Sequence, residues 1–220
     1  MDASIDTDIV IHLYRSGKKE LLFSSFDHLY MFEYLKDVEL QSKAPDIYTE
    51  FCEDVSANNI IIISDSELME LGIKALFDTY KLENDCLFDS GELHAIALAK
   101  AMGIFAFISD DTKSQGPHET LVKEIIEDVM PFSFYELLLL RYLSSELTVD
   151  QLYQEFEEVT SASMAERPMN FRSKILATIR RFSEKFGTKR DLEWMKQYCS
   201  ARNIDFKKKV RELRPFLDGL

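Results

Sequence analysis

The chain has 220 residues, of which 46% are hydrophobic and 16 are Phe, enough for a sizeable core, while only seven Gly and five Pro exclude a low-complexity polymer. The net charge of -13 is unevenly spread: residues 1–164 carry 11 Lys+Arg and 32 Asp+Glu, net -21, and residues 165–220 carry 15 and 7, net +8. Three cysteines without a C-x-x-C pair (Cys52, Cys86, Cys199) exclude a cysteine zinc site and predict reduced thiols in a cytoplasmic protein. No N-terminal apolar run has signal-peptide length, and Leu137–Leu140 is far too short to span a bilayer, so no membrane partner is expected.

In chain order, Ser4-Ile5 reads as a very short strand breaking at Asp6-Thr7 into a helix, on which Asp8 and His12 lie four apart on one face. Gly17-Lys18-Lys19 is a turn. The aromatic stretch from Leu21 to Val38 reads as helical. Pro45 opens a helix over 46–57 that carries Glu50, Cys52, Glu53 and Asp54. Ile60–Ile63 reads as a buried strand, and Ser64-x-x-Glu67 is a capping box for a helix running to about Tyr80.

Next comes the most informative stretch, DSGELHAIALAKAMGIFAFISDD at 89–111. Asp89 and Glu92 form a D-x-x-E helix start, Leu93, Ile96, Ala97 and Met102 recur at helical spacing, and Gly103 ends the helix. Ile104–Ile108 is a continuous apolar run, as expected of a parallel strand covered on both faces. It stops at Ser109-Asp110-Asp111. Thr112–Pro117 reads as a loop, 119–129 as a helix, 134–143 as a strongly apolar helix and 148–159 as an acidic one. Residues 161–168 read as a linker, and three basic helices follow at 171–186, 189–200 and 205–217. Strands alternating with helices predict an α/β fold with a small parallel sheet.

The acids fall at strand ends. Asp6 closes the first strand and Asp110 closes the strand of the 89–111 stretch; Glu92 heads the helix before that strand, and Glu50 lies on the helix before the second. Carboxylates gathered at one sheet edge raise one another's pKa values, and a hard divalent ion such as Mg²⁺ or Mn²⁺ removes that cost. Such a site suits phosphodiester hydrolysis.

In IDTDIVIHLY at 5–14, IYTEF at 47–51, DSGELHAIALAKAMG at 89–103 and FISDD at 107–111, the chain resembles the PIN-domain ribonucleases, which include the toxins of toxin–antitoxin pairs. The resemblance covers residues 1–160. It implies a three-layer α/β/α sandwich with an acid pocket binding Mg²⁺ or Mn²⁺, an RNA substrate, and a cognate antitoxin as partner. Asp6, Glu50, Glu92 and Asp110 would be the catalytic acids, with Asp6, Glu92 and Asp110 on the metal. Asp8 and Asp111 would be auxiliary acids, Thr7 would orient a ligand, and Lys113 would be the basic residue after the strand-ending acids. The basic extension, residues 169–220, has no counterpart in a minimal toxin.

Plainer readings accompany these. Asp6 and Asp89 also suit helix caps, His12 and His94 read as ordinary, and the 134–143 helix as core or as a homodimer face. The basic helices read equally as an RNA-binding surface, with Arg180, Arg181, Lys207, Lys208 and Lys209 on phosphates, or as an intramolecular clamp. A PIN-like module that binds without cleaving is the rival function. A receiver-type phosphoacceptor ranks last, because no lysine stands on a later strand.

Overall fold

The structure, a computed structural model, describes residues 1–110, 128–164 and 168–220. Asp111, Lys113, the Thr112–Pro117 loop, most of the helix expected at 119–129 and part of the linker lie outside these residues. The chain divides into two compact units, Met1–Phe134 and Tyr135–Leu220.

The first unit is α/β. Its five strands are β1 (Ala3–Ile5), β2 (Leu29–Phe32), β3 (Ile61–Ile63), β4 (Ala106–Ile108) and β5 (Met130–Phe132). They lie in the order β3-β2-β1-β4-β5, all parallel, with Ile5 opposite Ile108, Phe32 opposite Ile63 and Ile108 opposite Phe132. All three residues of β1 and of β4 are buried, which explains their unbroken apolar character. Pro131 cannot donate to a ladder, and its strand is correspondingly at the edge.

Helices α1 (Thr7–Arg15) and α2 (Glu20–Ser25) precede β2. A π-helical segment, Leu35–Leu40, runs into α3 (Gln41–Lys43), and Pro45 occupies the first turn of α4 (Pro45–Ser56), where its missing N–H costs nothing. After β3 come α5 (Asp65–Glu70), α6 (Lys74–Asn84) and α7 (Ser90–Met102). The Ser64–Glu67 capping box forms as read, with both reciprocal bonds present. Helix α7 is buried nearly all round and packs on β1, β2 and β4. Gly103 ends it at φ +68°, a left-handed conformation that glycine adopts without strain.

The sequence reading is corrected in two places here. The 21–38 stretch is not one helix, because Leu29-Tyr30-Met31-Phe32 forms an interior strand; aromatic residues suit a strand buried between neighbours as well as they suit a helix face. The helix expected to run to Tyr80 breaks at Gly72, whose φ of +70° no helix continues through.

The second unit is helical: α8 (Phe134–Leu143, of which only the first residue falls in the first unit), α9 (Val149–Ser163), α10 (Phe171–Arg181), α11 (Lys189–Arg202) and α12 (Phe206–Asp218). Phe171 of α10 meets Tyr153 and Phe156 of α9 edge-on, with ring centroids 5.1 and 5.2 Å away, and Phe216 of α12 joins them. The compact units divide after Phe134, and the linker expected at 161–168 falls within the second of them. The acidic α9 belongs with the basic helices, and residues 135–220 together carry 16 Lys+Arg and 13 Asp+Glu, net +3. Among the described residues no helix is long and apolar enough to cross a membrane.

Candidate active site

The strands are laid outward from β1 first to β3 and then, on the other side, to β5, so the reversal falls between β1 and β4. Open parallel sheets bind ligands past the carboxyl ends of the strands at such a point. Asp6 directly follows β1, and Ser109 and Asp110 directly follow β4.

Asp6 caps α1. The Thr7 N–H donates to Asp6 Oδ1 at 2.6 Å, and the Ser109 hydroxyl donates to Oδ2 at 2.9 Å. Its carboxyl is nonetheless pushed well above the usual carboxylate range, first by burial and then by Asp8, Asp89 and Glu92, against the Thr7 N–H. Glu92 is buried in the first turn of α7, which Asp89 caps by accepting the Glu92 N–H at 3.0 Å. Asp89 is thus both a cap and a member of the acid cluster.

Glu39 lies on the π-helical segment, and no motif in the sequence marks it. A Cβ built on Gly91 would stand 2.5 Å from Asp6 Oδ1 and 3.3 Å from Glu39 Oε2. Both carboxylates therefore press on one backbone position of α7, and only glycine leaves room for them. Lys43 donates to Glu39 Oε2 at 2.7 Å. Burial works against the Lys43 ammonium, but Glu39, Asp8 and Asp6 outweigh it and hold its pKa above the ordinary lysine value. Asp8 belongs to the same field and is half-buried.

Glu50 is placed elsewhere than the sequence reading expected. Its half-exposed carboxylate pairs with Lys19 at 2.8 Å, and Lys19 also binds Asp54, which accepts the Tyr14 hydroxyl at 2.7 Å. Glu50 thus belongs to a separate ionic cluster between α1 and α4. Asp110 is buried; its Oδ1 accepts the Phe134 N–H at 2.9 Å and its Oδ2 lies 3.5 Å from His12 Nδ1. His12 is therefore a buried neighbour of Asp110 rather than an ordinary surface residue.

Whether these residues suit Mg²⁺ or Mn²⁺ turns on donor chemistry. Asp6, Glu39 and Glu92 are buried hard-oxygen donors, and like charge already makes ionisation of Asp6 costly. The Thr7 hydroxyl beside them is fully buried and has no hydrogen-bond partner among the described residues. No group of three or more His, Cys, Asp or Glu among the described residues is arranged to hold an ion outright. Mg²⁺ needs only one or two direct carboxylates, with waters completing the octahedron, so the donor set fits.

Gly91→Ala tests the close approach. Alanine favours a helix over glycine by about 1 kcal/mol, so α7 itself should not suffer. The new methyl displaces Asp6 and Glu39, however. The expected result is divalent-ion binding, followed by calorimetry, weakened on the order of 10-fold or more, while far-UV circular dichroism stays unchanged.

Of the basic residues proposed for phosphate contact, Arg181 is not at the surface. Its side chain is 8% exposed and bridges Glu136 at 2.8 Å and Asp191 at 2.9 Å. Lys209 is half-buried, donates to Ser145 Oγ at 2.7 Å and lies over the Tyr142 ring. Arg180, Lys207 and Lys208 are exposed, the last two in loose ion pairs with Glu184 and Glu212 that cost little to open. A mostly apolar groove of about 980 Å³ runs between α10, α11 and α12, past Phe182, Met195 and Val210. Comparison with family models, with curated proteins and with solved structures finds no match for the chain.

Proposed function

We propose that the first unit is a divalent-metal-dependent endoribonuclease of PIN type, with which a three-layer α/β/α arrangement of its parallel sheet is compatible. The observation that carries this reading is the meeting of Asp6, Glu39 and Glu92 at the switch point of the sheet, with Asp110 one strand away. A bound Mg²⁺ or Mn²⁺ would offset phosphate charge and provide a nucleophile at neutral pH.

The chain's own residues do the rest. Asp6 and Glu39, which both approach the Gly91 backbone, would hold the ion together with the buried Glu92. The Ser109 hydroxyl and the Thr7 N–H fix the Asp6 carboxylate so that its position does not depend on the ligand. Lys43, half-exposed beside Glu39, supplies a cation at the rim for a substrate phosphate. Asp110, held by the Phe134 N–H, would be the candidate general base near the β4 end.

A second reading, a PIN-like module that binds without cleaving, is favoured by one observation: no three of the described acids form a ready-made ligand set. The two part on a pair of substitutions. Glu39→Gln is expected to lower Mn²⁺-dependent cleavage of single-stranded RNA on the order of 100-fold or more, and Glu50→Gln to leave it within about twofold. No cleavage by the parent protein in Mg²⁺ or Mn²⁺ favours the binding module; equal losses in both variants remove Glu39 from the site.

A further inference from the structure

Beside the acids stands a stack of aromatic rings that the proposed chemistry does not use. Phe32, the last residue of β2, lies under His94 of α7 with ring centroids 5.4 Å apart and planes within 13°. Tyr34 also stacks on His94, at 4.7 Å and 18°. Phe32 and His94 are buried, whereas Tyr34 is 36% exposed and forms the outer end of the stack. His94 is held in plane from both edges. Its Nδ1–H donates to the Ser90 carbonyl at 2.6 Å, which leaves Nε2 to accept from the Lys81 ammonium at 2.8 Å.

The position of the stack relative to the acids gives it meaning. On α7, His94 is three residues beyond Gly91, one turn along on the same face. On the other wall, Tyr34 directly precedes the π-helical segment and Glu39 lies five residues on. A π-helix bonds i to i+5, so it brings these two residues over one another, which an α-helix would not do. Gly91 with Glu39, and His94 with Tyr34, are thus two rungs between the same two elements. Along α7 the two rungs stand three residues apart, about 4.5 Å of helical rise.

We infer that Tyr34, backed by His94 and Phe32, is a stacking platform for a nucleobase of a single-stranded RNA whose adjoining phosphodiester lies over the Asp6–Glu39 acids. This inference rests on the ribonuclease reading and names its substrate subsite. The three rings and their edge bonds fix the platform before substrate arrives, so little ordering entropy is lost on stacking. Every base offers a flat face, so the platform selects for an unpaired base rather than for one sequence.

The test compares Tyr34→Ala, Tyr34→Phe and Tyr34→Trp with the parent protein on single-stranded RNAs carrying 2-aminopurine, in Mn²⁺. Tyr34→Ala is expected to raise KM about 10-fold with kcat within about twofold, and to abolish the quenching of 2-aminopurine on binding. Phe and Trp keep the ring, so both KM and quenching should stay near the parent values. Unchanged KM and quenching in Tyr34→Ala overturn the platform alone, because the parent protein still cleaves. A Tyr34→Phe variant as defective as Tyr34→Ala also overturns it, since a hydroxyl contact rather than stacking would then be at work. If the parent protein neither binds nor cleaves RNA, the ribonuclease reading fails and takes the platform with it.

Discussion

Asp6→Asn should make the metal-free protein more stable while abolishing Mn²⁺-dependent RNA cleavage. The substitution keeps shape and cap: asparagine is as good an N-cap as aspartate, and its carbonyl still accepts the Thr7 N–H. The Ser109 hydroxyl, which now donates to Oδ2, can turn to accept from the new amide. What disappears is a buried charge among Asp8, Asp89 and Glu92. Because the folded carboxyl is raised, the folded state keeps a proton that the unfolded chain has released, so stability falls as pH rises from the unfolded value, about 3.9, through the folded one. Above that window the parent protein carries the full penalty and the asparagine variant does not. Thermal unfolding in EDTA should therefore show the variant with the higher Tm near neutral pH, by about 2–4 °C per kcal/mol relieved, and the two curves should converge as pH falls through the window. Added Mn²⁺ should reverse the order, since it stabilises only the protein that binds it, by about 2.7 kcal/mol at a hundred times its Kd. A variant less stable than the parent in EDTA at neutral pH would show that Asp6 is an ordinary cap.

The residues of the candidate site differ in how openly the sequence displays them. Asp6 and Asp110 were legible because each ends a short apolar run, and strand ends are where α/β sheets place their chemistry. Glu92 was legible through its spacing from Asp89. Glu39 was not. It lies just beyond a stretch whose aromatics fit a helix as well as the interior strand β2, and its own segment is π-helical, a winding that leaves no regular apolar period to read. Its one sequence signal is weak: a carboxylate between Val38 and Leu40. Glu50 stands on a helix before a strand, and nothing local announces that Lys19, 31 positions earlier, holds it.

The units show the same limit. Composition changes sharply near residue 165, but packing does not follow composition. The aromatic contacts of Tyr153 and Phe156 with Phe171 join the acidic α9 to the basic α10 across that change. Charge contrast promotes such pairing, so a shift in net charge is a poor guide to a domain boundary when the oppositely charged segments are each other's partners. Arg181 is the extreme case. In sequence it is one of a pair of arginines on a basic helix, indistinguishable from Arg180. In the fold the two side chains point to opposite fates, one exposed and one almost completely buried.

Replacing Arg181 should therefore be the most destabilising single change in the second unit. Its guanidinium donates through Nη1 to Glu136, and through Nε and Nη2 to both oxygens of Asp191 at 2.9 and 3.1 Å. Burial alone would raise the Asp191 carboxyl, yet Arg181 and Arg190 hold it below the usual range. Glu136 has no exposed side-chain surface, and Arg181 is its charge partner. Arg181→Met keeps the length of the side chain but removes the guanidinium 2.8 Å from that buried carboxylate, and breaking such a buried pair costs about 3–5 kcal/mol. Adding Glu136→Gln removes the buried negative charge that faced Arg181, so the double variant should recover much of the loss; residues in one ionic network do not act additively. The only tryptophan, Trp194, stacks on Tyr198 within this unit, so urea titration followed by its fluorescence reads the unit directly. The pH dependence is the reverse of that at Asp6. Because the folded Asp191 carboxyl is depressed, its contribution is complete above the unfolded value, about 3.9, and is lost as pH falls through the folded one. A shift in the Trp194 transition below about 1 kcal/mol for Arg181→Met would mean that the triad relaxes into solvent, and would return Arg181 to the surface residues available to a phosphate.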